Sequence, residues 1–282
     1  MLKCDLHTHS NYSDGTDTPV EIITKAKALG LYAIALTDHN TVAGLEEFTS
    51  EAVRQNIKSV AGIEISCEYK GQELHLLGLF IAPEYYERIE SVMQRVRFAK
   101  DKSNAELVKR LNGAGYNINY PDIKKRLNSE NINRSHIAEE MLLKGYIGSV
   151  NEAMDTVLSR EYGFYIPPPR LQLLDMIGFL RECNALPIIA HPLKDIDETE
   201  LRALLPDAIE AGLAGIETLH SSYTEDKKAL AEHIADEYSL AKSGGSDYHG
   251  SKKPLVSLGV GKGDISVPST FYNKLLELHG SC

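Results

Sequence analysis

The sequence predicts an α/β fold in which a barrel of strands and helices is interrupted by a helical insertion. Strand-like and helix-like runs alternate through the first third of the chain, the alternation returns in the last third, and the part between has almost only helical patterns. Alternating strands and helices are typical of a parallel sheet or barrel. We therefore expect a first barrel segment at 1–83, a helical insertion at 84–169 and a second barrel segment at 170–282.

The first barrel segment shows the alternation clearly. It begins with the predicted strand KCDLHTH and the predicted helix PVEIITKAKALG. Thr18 and Glu21 stand three residues apart at the start of this helix, which is the pattern of a capping box, and Gly30 is a typical stop. The next strand is predicted at YAIALTDHN, the next helix at TVAGLEEFTSEAVRQN, and two further strands at SVAGIEISCEY and ELHLLGLFI.

The middle of the chain has a different pattern. Between Glu84 and Tyr162 apolar residues recur at helical spacing, as at Ile89, Val92 and Val96. Three consecutive prolines at 167–169 then form a stiff, extended spacer. Beyond them we predict a helix at LQLLDMIGFLREC and strands at LPIIAHP, GIETLH and LAKSGGSDYH.

Composition restricts the class of partner. The chain carries 30 Lys and Arg against 40 Asp and Glu, a net charge of −10 with His neutral, which disfavours duplex nucleic acid because its phosphates need clustered basic residues. A small anionic substrate is compatible with this charge when a bound metal supplies the positive charge. No apolar run reaches the roughly 20 residues of a membrane span, the N-terminus lacks a signal-peptide pattern, and the four cysteines are scattered. We expect a cytoplasmic protein without a disulfide framework.

Imidazole and carboxylate groups accumulate where the predicted strands end. These potential metal ligands are His7, His9, Asp14, His39, Glu64, His75, His191, Asp247 and His249. The carboxyl ends of the strands carry the active site in βα barrels, and burying such groups without partners is costly. One ion takes roughly four to six ligands, so nine predict two or three ions, and a set without thiolate favours Mn, Fe or Zn.

Asp5 has two interpretations. Side-chain alternation along a strand would place Asp5, His7 and His9 on one face. Its carboxylate could then orient a ligand imidazole through the second ring nitrogen. The alternative is a carboxylate at the start of a strand that bonds to backbone groups, and the sequence does not decide between them.

Several stretches together resemble one family. The stretches HTHSNYSDGTDTP, TDHN, GIEIS, HLLG, AHP and GGSDYH are similar to the polymerase-and-histidinol-phosphatase (PHP) family of metal-dependent phosphoesterases. The RSH at Arg134–His136 and the helical insertion resemble the branch that acts on nucleoside 3′,5′-bisphosphates and includes relatives that trim short RNAs from the 5′ end. The resemblance implies a distorted (βα)7 barrel with a dinuclear or trinuclear metal centre, and it places the ligands on the nine residues above. His220 falls near a family position but not clearly on one, so its role stays open.

The mechanism implied by this metal set is attack by a metal-bridging hydroxide on phosphorus. We assign catalytic roles to Glu64, as the bridging carboxylate, and to Asp14 and His39. We assign substrate binding to Arg134, Ser135 and His136 at the start of an insertion helix, which we expect to be part of a lid beside the metal face.

Arg134 can hold a phosphate with two hydrogen bonds. On its own it would be taken for a surface arginine, and the motif resemblance reverses that interpretation. Arg170, Lys252 and Lys253 are weaker candidates, for which a solvated surface position is the simpler interpretation.

The predicted function is that of a metal-dependent phosphatase or phosphodiesterase acting on small nucleotides, namely 3′,5′-bisphosphonucleosides or short single-stranded RNA. We expect two or three divalent ions, with Mn preferred over Zn or Fe, and neither duplex DNA, a membrane nor an obligate protein partner. One alternative is a histidinol-phosphate phosphatase, against which the insertion with RSH argues. The other is a non-catalytic metal-binding regulatory module, against which the complete ligand set argues. The exact substrate, the native metal and the oligomeric state stay open.

Overall fold

The structure is a computed structural model that describes residues 2–127, 132–159 and 161–280. It divides into two compact units: the first comprises Met1–Met93 and Arg170–Cys282, and the second comprises Gln94–Pro169. The boundary after Met93 lies inside one long helix, within the range 84–169 that the sequence assigns to the insertion. That assignment stays a prediction.

Nine strands of the described residues belong to one sheet. In chain order they are β1 (Lys3–Asp5), β2 (Ala33–Leu36), β3 (Lys58–Tyr69), β4 (Gln72–Leu79), β5 (Leu171–Gln172), β6 (Leu186–Ala190), β7 (Gly215–His220), β8 (Ala241–Gly245) and β9 (Val267–Pro268). The helices are α1 (Pro19–Ala28), α2 (Leu45–Gln55), α3 (Tyr86–Gly113), α4 (Tyr120–Leu127), α5 (Arg134–Leu143), α6 (Val150–Asp155), α7 (Leu173–Glu182), α8 (Pro192–Asp195), α9 (Glu198–Glu210), α10 (Glu225–Glu237) and α11 (Ser269–Gly280). Short 3₁₀ helices lie at Pro83–Tyr85 and Gly250–Lys252.

The sheet is a nearly closed barrel. Its strand order is β8-β7-β6-β4-β3-β2-β1-β9, with β5 paired to β3. The strands β1 and β8 approach each other, since Leu6 N–H donates to Gly244 O at 3.1 Å and Thr8 forms a parallel bridge with Tyr248. The predicted α/β barrel fold is confirmed.

The direction of two strands differs from the parallel arrangement that the sequence predicts. Strand β4 runs antiparallel to both β3 and β6, and β9 runs antiparallel to β1. The cause for β4 is a two-residue connection, Lys70 and Gly71, with φ of +48° and +85°. Such a turn is the usual connection of a β-hairpin, whereas parallel strands need a longer crossover.

Two apolar clusters lie on opposite faces of the barrel strands. Ile34 and Ile63 belong to the cluster that also contains the apolar residues of the surrounding helices. Ala33 and Val60 belong to the other cluster, which includes Tyr272 of α11. Glu64 follows Ile63 in β3, so side-chain alternation places its carboxylate on the second face, inside the barrel.

Helix α1 shows why the predicted local patterns form. Thr18 accepts a hydrogen bond from Glu21 N–H at 3.2 Å, and the Glu21 carboxylate accepts one from Thr18 N–H at 2.8 Å. The predicted capping box is therefore confirmed. Gly30 follows the helix at φ +68°, a conformation that glycine adopts without strain.

The second unit is helical in its described residues. The end of α3 packs with α4, α5 and α6 around an apolar cluster that contains Leu107, Ile123, Ile137 and Met141. The helical pattern predicted between Glu84 and Tyr162 is confirmed for the residues that the structure describes in this range.

Three of the four cysteines lie within the residues that the structure describes. Cys4, Cys67 and Cys183 are buried and free, and Cys282 lies outside the described residues. Over the same residues, none of the helices combines the length and the apolar character that crossing a membrane requires.

Candidate metal centre

The nine predicted metal ligands converge at one end of the barrel in the first unit. Seven of them follow strands or lie in the loops beyond, as predicted. Glu64 lies in the middle of β3, and His75 lies near the start of β4, so the predicted strand-end position is wrong for these two. Because β4 is antiparallel, its first residues lie at the same end of the barrel as the last residues of the parallel strands.

Glu64 is the centre of the cluster. One carboxylate oxygen, Oε2, lies 3.2 Å from Nε2 of His7, 3.2 Å from Nε2 of His9 and 3.0 Å from Nδ1 of His39. The other oxygen, Oε1, lies 2.8 Å from Nδ1 of His75 and 3.1 Å from Nε2 of His191. A single buried carboxylate therefore faces five imidazole rings.

Two further carboxylates complete the arrangement. Asp14 Oδ1 lies 3.2 Å from Nε2 of His249 and 4.0 Å from both Nδ1 of His9 and Nε2 of His39. Asp247 Oδ1 lies 3.4 Å from Nε2 of His9 and 3.4 Å from Nδ1 of His249. All nine predicted residues are thus brought together.

The donor atoms fit divalent metal ions. The Nε2 atoms of His7 and His9 are 3.0 Å apart, and each also lies 3.2 Å from the same oxygen of Glu64. Buried atoms without a hydrogen-bond partner include His9 Nδ1, His39 Nδ1 and Glu64 Oε2. Unpaired buried polar atoms are costly, and converging lone pairs of nitrogen and oxygen are the donors that a transition metal takes. The residues present therefore fit the implied metal centre.

Electrostatics of the cluster follow from the same contacts. Burial acts to raise the pKa of Glu64, but the imidazoles of His39, His7 and His75 hold it well below its usual range. Burial acts to lower the pKa of His191, but hydrogen bonds to Asp195 and Glu64 raise it to about 9. The protons on such imidazoles occupy positions that a cation can take, so we expect metal binding to release protons.

Hydrogen bonds to Asp38 fix the loop that carries Asp14. The Asp38 carboxylate accepts hydrogen bonds from Ser10 N–H at 2.7 Å, from Ser10 Oγ at 2.6 Å and from Ser13 Oγ at 2.6 Å. Gly15 is required where the loop returns, because a Cβ there would lie 2.3 Å from the His9 carbonyl oxygen. The stretch HSNYSDG therefore encodes the shape of the loop as well as its donors.

Asp5 does not orient a ligand imidazole. Strand β1 ends at Asp5, so the alternation assumed for Asp5, His7 and His9 does not continue. Its carboxylate accepts hydrogen bonds from Ser246 N–H and Gly259 N–H, both at 2.8 Å, and from the Ser246 hydroxyl. The interpretation as a backbone-bonded carboxylate describes this position.

Glu217, rather than Asp5, is the carboxylate that contacts the second ring nitrogen of a clustered histidine. Both of its oxygens lie 3.1 Å from Nδ1 of His7, and Oε2 accepts the N–H of His191 at 2.9 Å. A carboxylate on the far nitrogen fixes the tautomer and orientation of a ligating imidazole. Sequence reasoning missed Glu217, although a lone carboxylate within the apolar strand GIETLH was the available pattern.

Access to the cluster is from one side. The side chains of His39 and Asp14 are 22% and 28% exposed, and that of His75 is 20% exposed. Glu64 and His191 have almost no exposed area. A substrate therefore reaches the cluster where His39, Asp14 and His75 are open to solvent.

Two residues of the cluster have backbone conformations with positive φ, which are unusual for residues other than glycine. His191 has φ of +30° and Asp247 has φ of +57°. A non-glycine residue in such a conformation costs about 1–3 kcal/mol, and residues of this kind concentrate at functional sites. The nearby position 245 is glycine because a Cβ there would lie 2.4 Å from the Cβ of His7.

The predicted substrate-binding residues lie in the second unit, in the first turn of α5, as expected from the sequence. Arg134 Nη1 donates to Leu158 O at 2.8 Å, and the guanidinium carbon lies 4.2 Å from the centre of the Tyr165 ring. Ser135 and His136 follow in the same turn, and Nδ1 of His136 accepts the N–H of Asn133 at 3.1 Å.

The weaker candidates lie in the first unit. Arg170 Nη2 lies 2.7 Å from an oxygen of Glu73. Lys252 is exposed, whereas Lys253 Nζ donates to Asp247 Oδ2 at 2.6 Å. Of the two neighbouring lysines, Lys253 therefore reaches the cluster.

Comparison with known proteins identifies the family. The PHP domain family model matches residues 5–158. The chain is 29% identical over 248 residues to a 5′-3′ exoribonuclease of Haemophilus influenzae, covering 88% of this chain and 90% of that protein. It is 30% identical over 252 residues to a 3′,5′-nucleoside bisphosphate phosphatase of Chromobacterium violaceum, covering 88% of each.

A solved structure gives the same result. It is that of a Bifidobacterium adolescentis protein described as a metal-dependent phosphoesterase, with a TM-score of 0.79 and 26% identity over 98% of this chain and 96% of that one. Since the family model matches more than half of the sequence, the chain belongs to the PHP domain family.

Proposed function

We propose that the protein hydrolyses phosphate esters of small nucleotides, with 3′,5′-bisphosphonucleosides as its substrates and the 5′ ends of short RNAs as a related class. The chain is a metal-dependent phosphoesterase of the PHP family, a hydrolase that acts on ester bonds. The observation that carries the proposal is the convergence of imidazoles and carboxylates around Glu64.

We assign the metal centre to the nine clustered residues. The proposed ligands are His7, His9, Asp14, His39, Glu64, His75, His191, Asp247 and His249. Two or three divalent ions suit this number of donors, with Mn preferred and Zn or Fe as alternatives. When bound, the ions lower the pKa of a water molecule for attack on phosphorus and offset the charge of the phosphoryl oxygens.

The chain itself contributes orientation and access. Both oxygens of Glu64 face imidazoles, so this carboxylate would hold metal together with the histidines on both of its sides. Glu217 holds His7 through its far nitrogen, so the nitrogen that faces the cluster keeps its lone pair. Asp14 and His39 are open to solvent and therefore border the reacting phosphate in our proposal.

We propose that Arg134, Ser135 and His136 bind the second phosphate of a bisphosphate substrate. The guanidinium carbon of Arg134 lies 4.2 Å from the centre of the Tyr165 ring, and one nitrogen donates to Leu158 O. Its other N–H groups can bind one anion. The relative named as a 3′,5′-nucleoside bisphosphate phosphatase supports this substrate class.

A panel of phosphorylated compounds tests the proposal. It contains a nucleoside 3′,5′-bisphosphate, a short 5′-phosphorylated RNA, a cyclic phosphodiester, histidinol phosphate and an aryl phosphate, and phosphate release is measured for each with the loaded protein. We expect the highest kcat/KM for the bisphosphate. A preference for histidinol phosphate, or no release from any compound, would support one of the two alternative functions instead.

Metal removal should abolish the activity. We expect the purified protein to contain at least two transition-metal ions per chain by plasma emission, since nine donors exceed the needs of one ion. Extensive chelation should remove the activity, and added Mn should restore it. Full activity in protein shown to be free of metal would contradict the proposal.

Glu217→Gln should weaken metal binding without removing a ligand. Glutamine keeps the size and one acceptor oxygen but loses the charge that supports His7, so we expect about 10–100-fold lower metal affinity. The affinity is measured by competition with a chelator. Glu210→Gln, an exposed position at the end of α9, is the matched control and should bind metal as the original protein does. Unchanged affinity in Glu217→Gln would show that the contact with His7 is not used.

A further inference from the structure

His220 lies beside Asp247 inside the barrel. Its imidazole is 1% exposed, and its Nε2 lies 3.5 Å from Oδ2 of Asp247. Its Nδ1 lies 2.7 Å from the hydroxyl oxygen of Ser222, which can either donate or accept, so this contact suits both tautomers. Its Nε2 is buried and has no hydrogen-bond partner among the described residues.

Lys253 reaches the same oxygen from the solvent side. Its Nζ donates to Asp247 Oδ2 at 2.6 Å, and its side chain is 38% exposed. The loop before it is anchored, because Ser251 N–H donates to Thr16 Oγ1 at 2.9 Å and Lys253 N–H donates to Gly250 O at 3.3 Å. The lysine is thus held beside Asp247 by its own backbone.

The two oxygens of Asp247 have different neighbours. Oδ1 faces the imidazoles of His9 and His249, both at 3.4 Å, and that of His7 at 3.8 Å. Oδ2 accepts the hydrogen bond from Lys253 and lies 3.5 Å from Nε2 of His220. One oxygen is therefore directed to the cluster, while the other is occupied by the hydrogen bond from Lys253.

We propose that Lys253 would restrict Asp247 to coordination through Oδ1, and would thereby keep one metal coordination position open for the substrate. The inference rests on the proposed assignment of Asp247 as a ligand. A carboxylate can bind an ion through one oxygen or both, and a catalytic metal site needs an open position. Lys253 is a positioning residue that acts through Asp247.

The test is Lys253→Met in the metal-loaded protein. Without the ammonium group, Oδ2 is free to join the metal, so the open position is lost while the metal stays bound. We expect unchanged metal content, kcat for an aryl phosphate lower by about 10–100-fold, the range seen when groups behind metal ligands are removed, and little change in KM. The electron paramagnetic resonance spectrum of the Mn-loaded protein should change as well.

Three further variants make the result specific. Lys252→Met removes the same charge from the exposed neighbouring position and should leave kcat and the spectrum unchanged. Lys253→Arg keeps an N–H donor for Oδ2 and should recover most of kcat. His191→Gln, which changes a proposed ligand, should lower the metal content.

The outcomes separate this inference from the proposed function. The metal content of the unmodified protein is measured first, and absence of metal there would overturn both. If metal is present, a raised KM with unchanged kcat in Lys253→Met would mean that Lys253 binds the substrate directly. Loss of metal from Lys253→Met would mean that this residue supports the cluster itself. Either of the last two results would overturn the inference and leave the phosphoesterase proposal in place.

Discussion

Glu64→Gln is expected to lower kcat/KM for every phosphate ester by roughly 10³-fold. The carboxylate faces five imidazoles with its two oxygens, and in our proposal it would hold metal together with them. An amide has no negative charge to offset the ions, so metal should be lost from the shared position. Metal ions contribute several kcal/mol of transition-state stabilisation, and about 4 kcal/mol corresponds to this factor. The measurements are metal content and kcat/KM for a bisphosphate and an aryl phosphate.

Glu68→Gln is the matched control, because Glu68 lies four residues further along the same strand. The exchange removes the same charge there, and metal content and activity should both be retained. Thermal unfolding of both variants establishes that each is folded before activities are compared. Retention of metal and activity in Glu64→Gln would mean that the cluster around Glu64 is not the reaction centre.

Local patterns were sufficient for much of the fold. Thr18 and Glu21 predicted the start of α1, because a capping box depends on residues only three positions apart. The helical spacing of apolar residues likewise predicted that the second unit consists of helices. The antiparallel direction of β4 was missed, although the pair Lys70 and Gly71 between two strand-like runs is a turn of hairpin length.

The candidate site was predictable where its residues are unusual for their surroundings. Histidines and carboxylates next to apolar strands predicted the nine clustered residues, since such groups need a shared partner when they are buried. Glu217 was missed because its role depends on His7, which is 210 positions away in the sequence. The hydrogen bonds of Asp5 to Ser246 and Gly259 depend equally on how the barrel closes. Contacts between distant segments are set by the three-dimensional fold, and no local pattern specifies them.

Arg134→Ala should change substrate choice rather than the chemical step. The metal centre can hold only the phosphate that is cleaved, so a second phosphate needs another cationic group, and the chain has a net charge of −10. Removing the guanidinium should weaken use of a 3′,5′-bisphosphate by roughly 1.5–3 kcal/mol, the usual value of a hydrogen bond to a charged group. This is about ten- to a hundredfold in kcat/KM. An aryl phosphate, which lacks the second group, should be hydrolysed nearly as before.

His7→Ala provides the contrast, because it damages the metal centre and should impair both substrates. Arg126→Ala, elsewhere in the second unit and 3.5 Å from Glu140, is the matched control for loss of an arginine. Arg134 also packs on Tyr165, so thermal unfolding must show that Arg134→Ala remains folded. Equal losses on the two substrates in a folded Arg134→Ala would mean that Arg134 serves the reacting phosphate or the fold. A loss confined to the bisphosphate would place the second phosphate at Arg134, since the aryl phosphate reports on the metal centre alone.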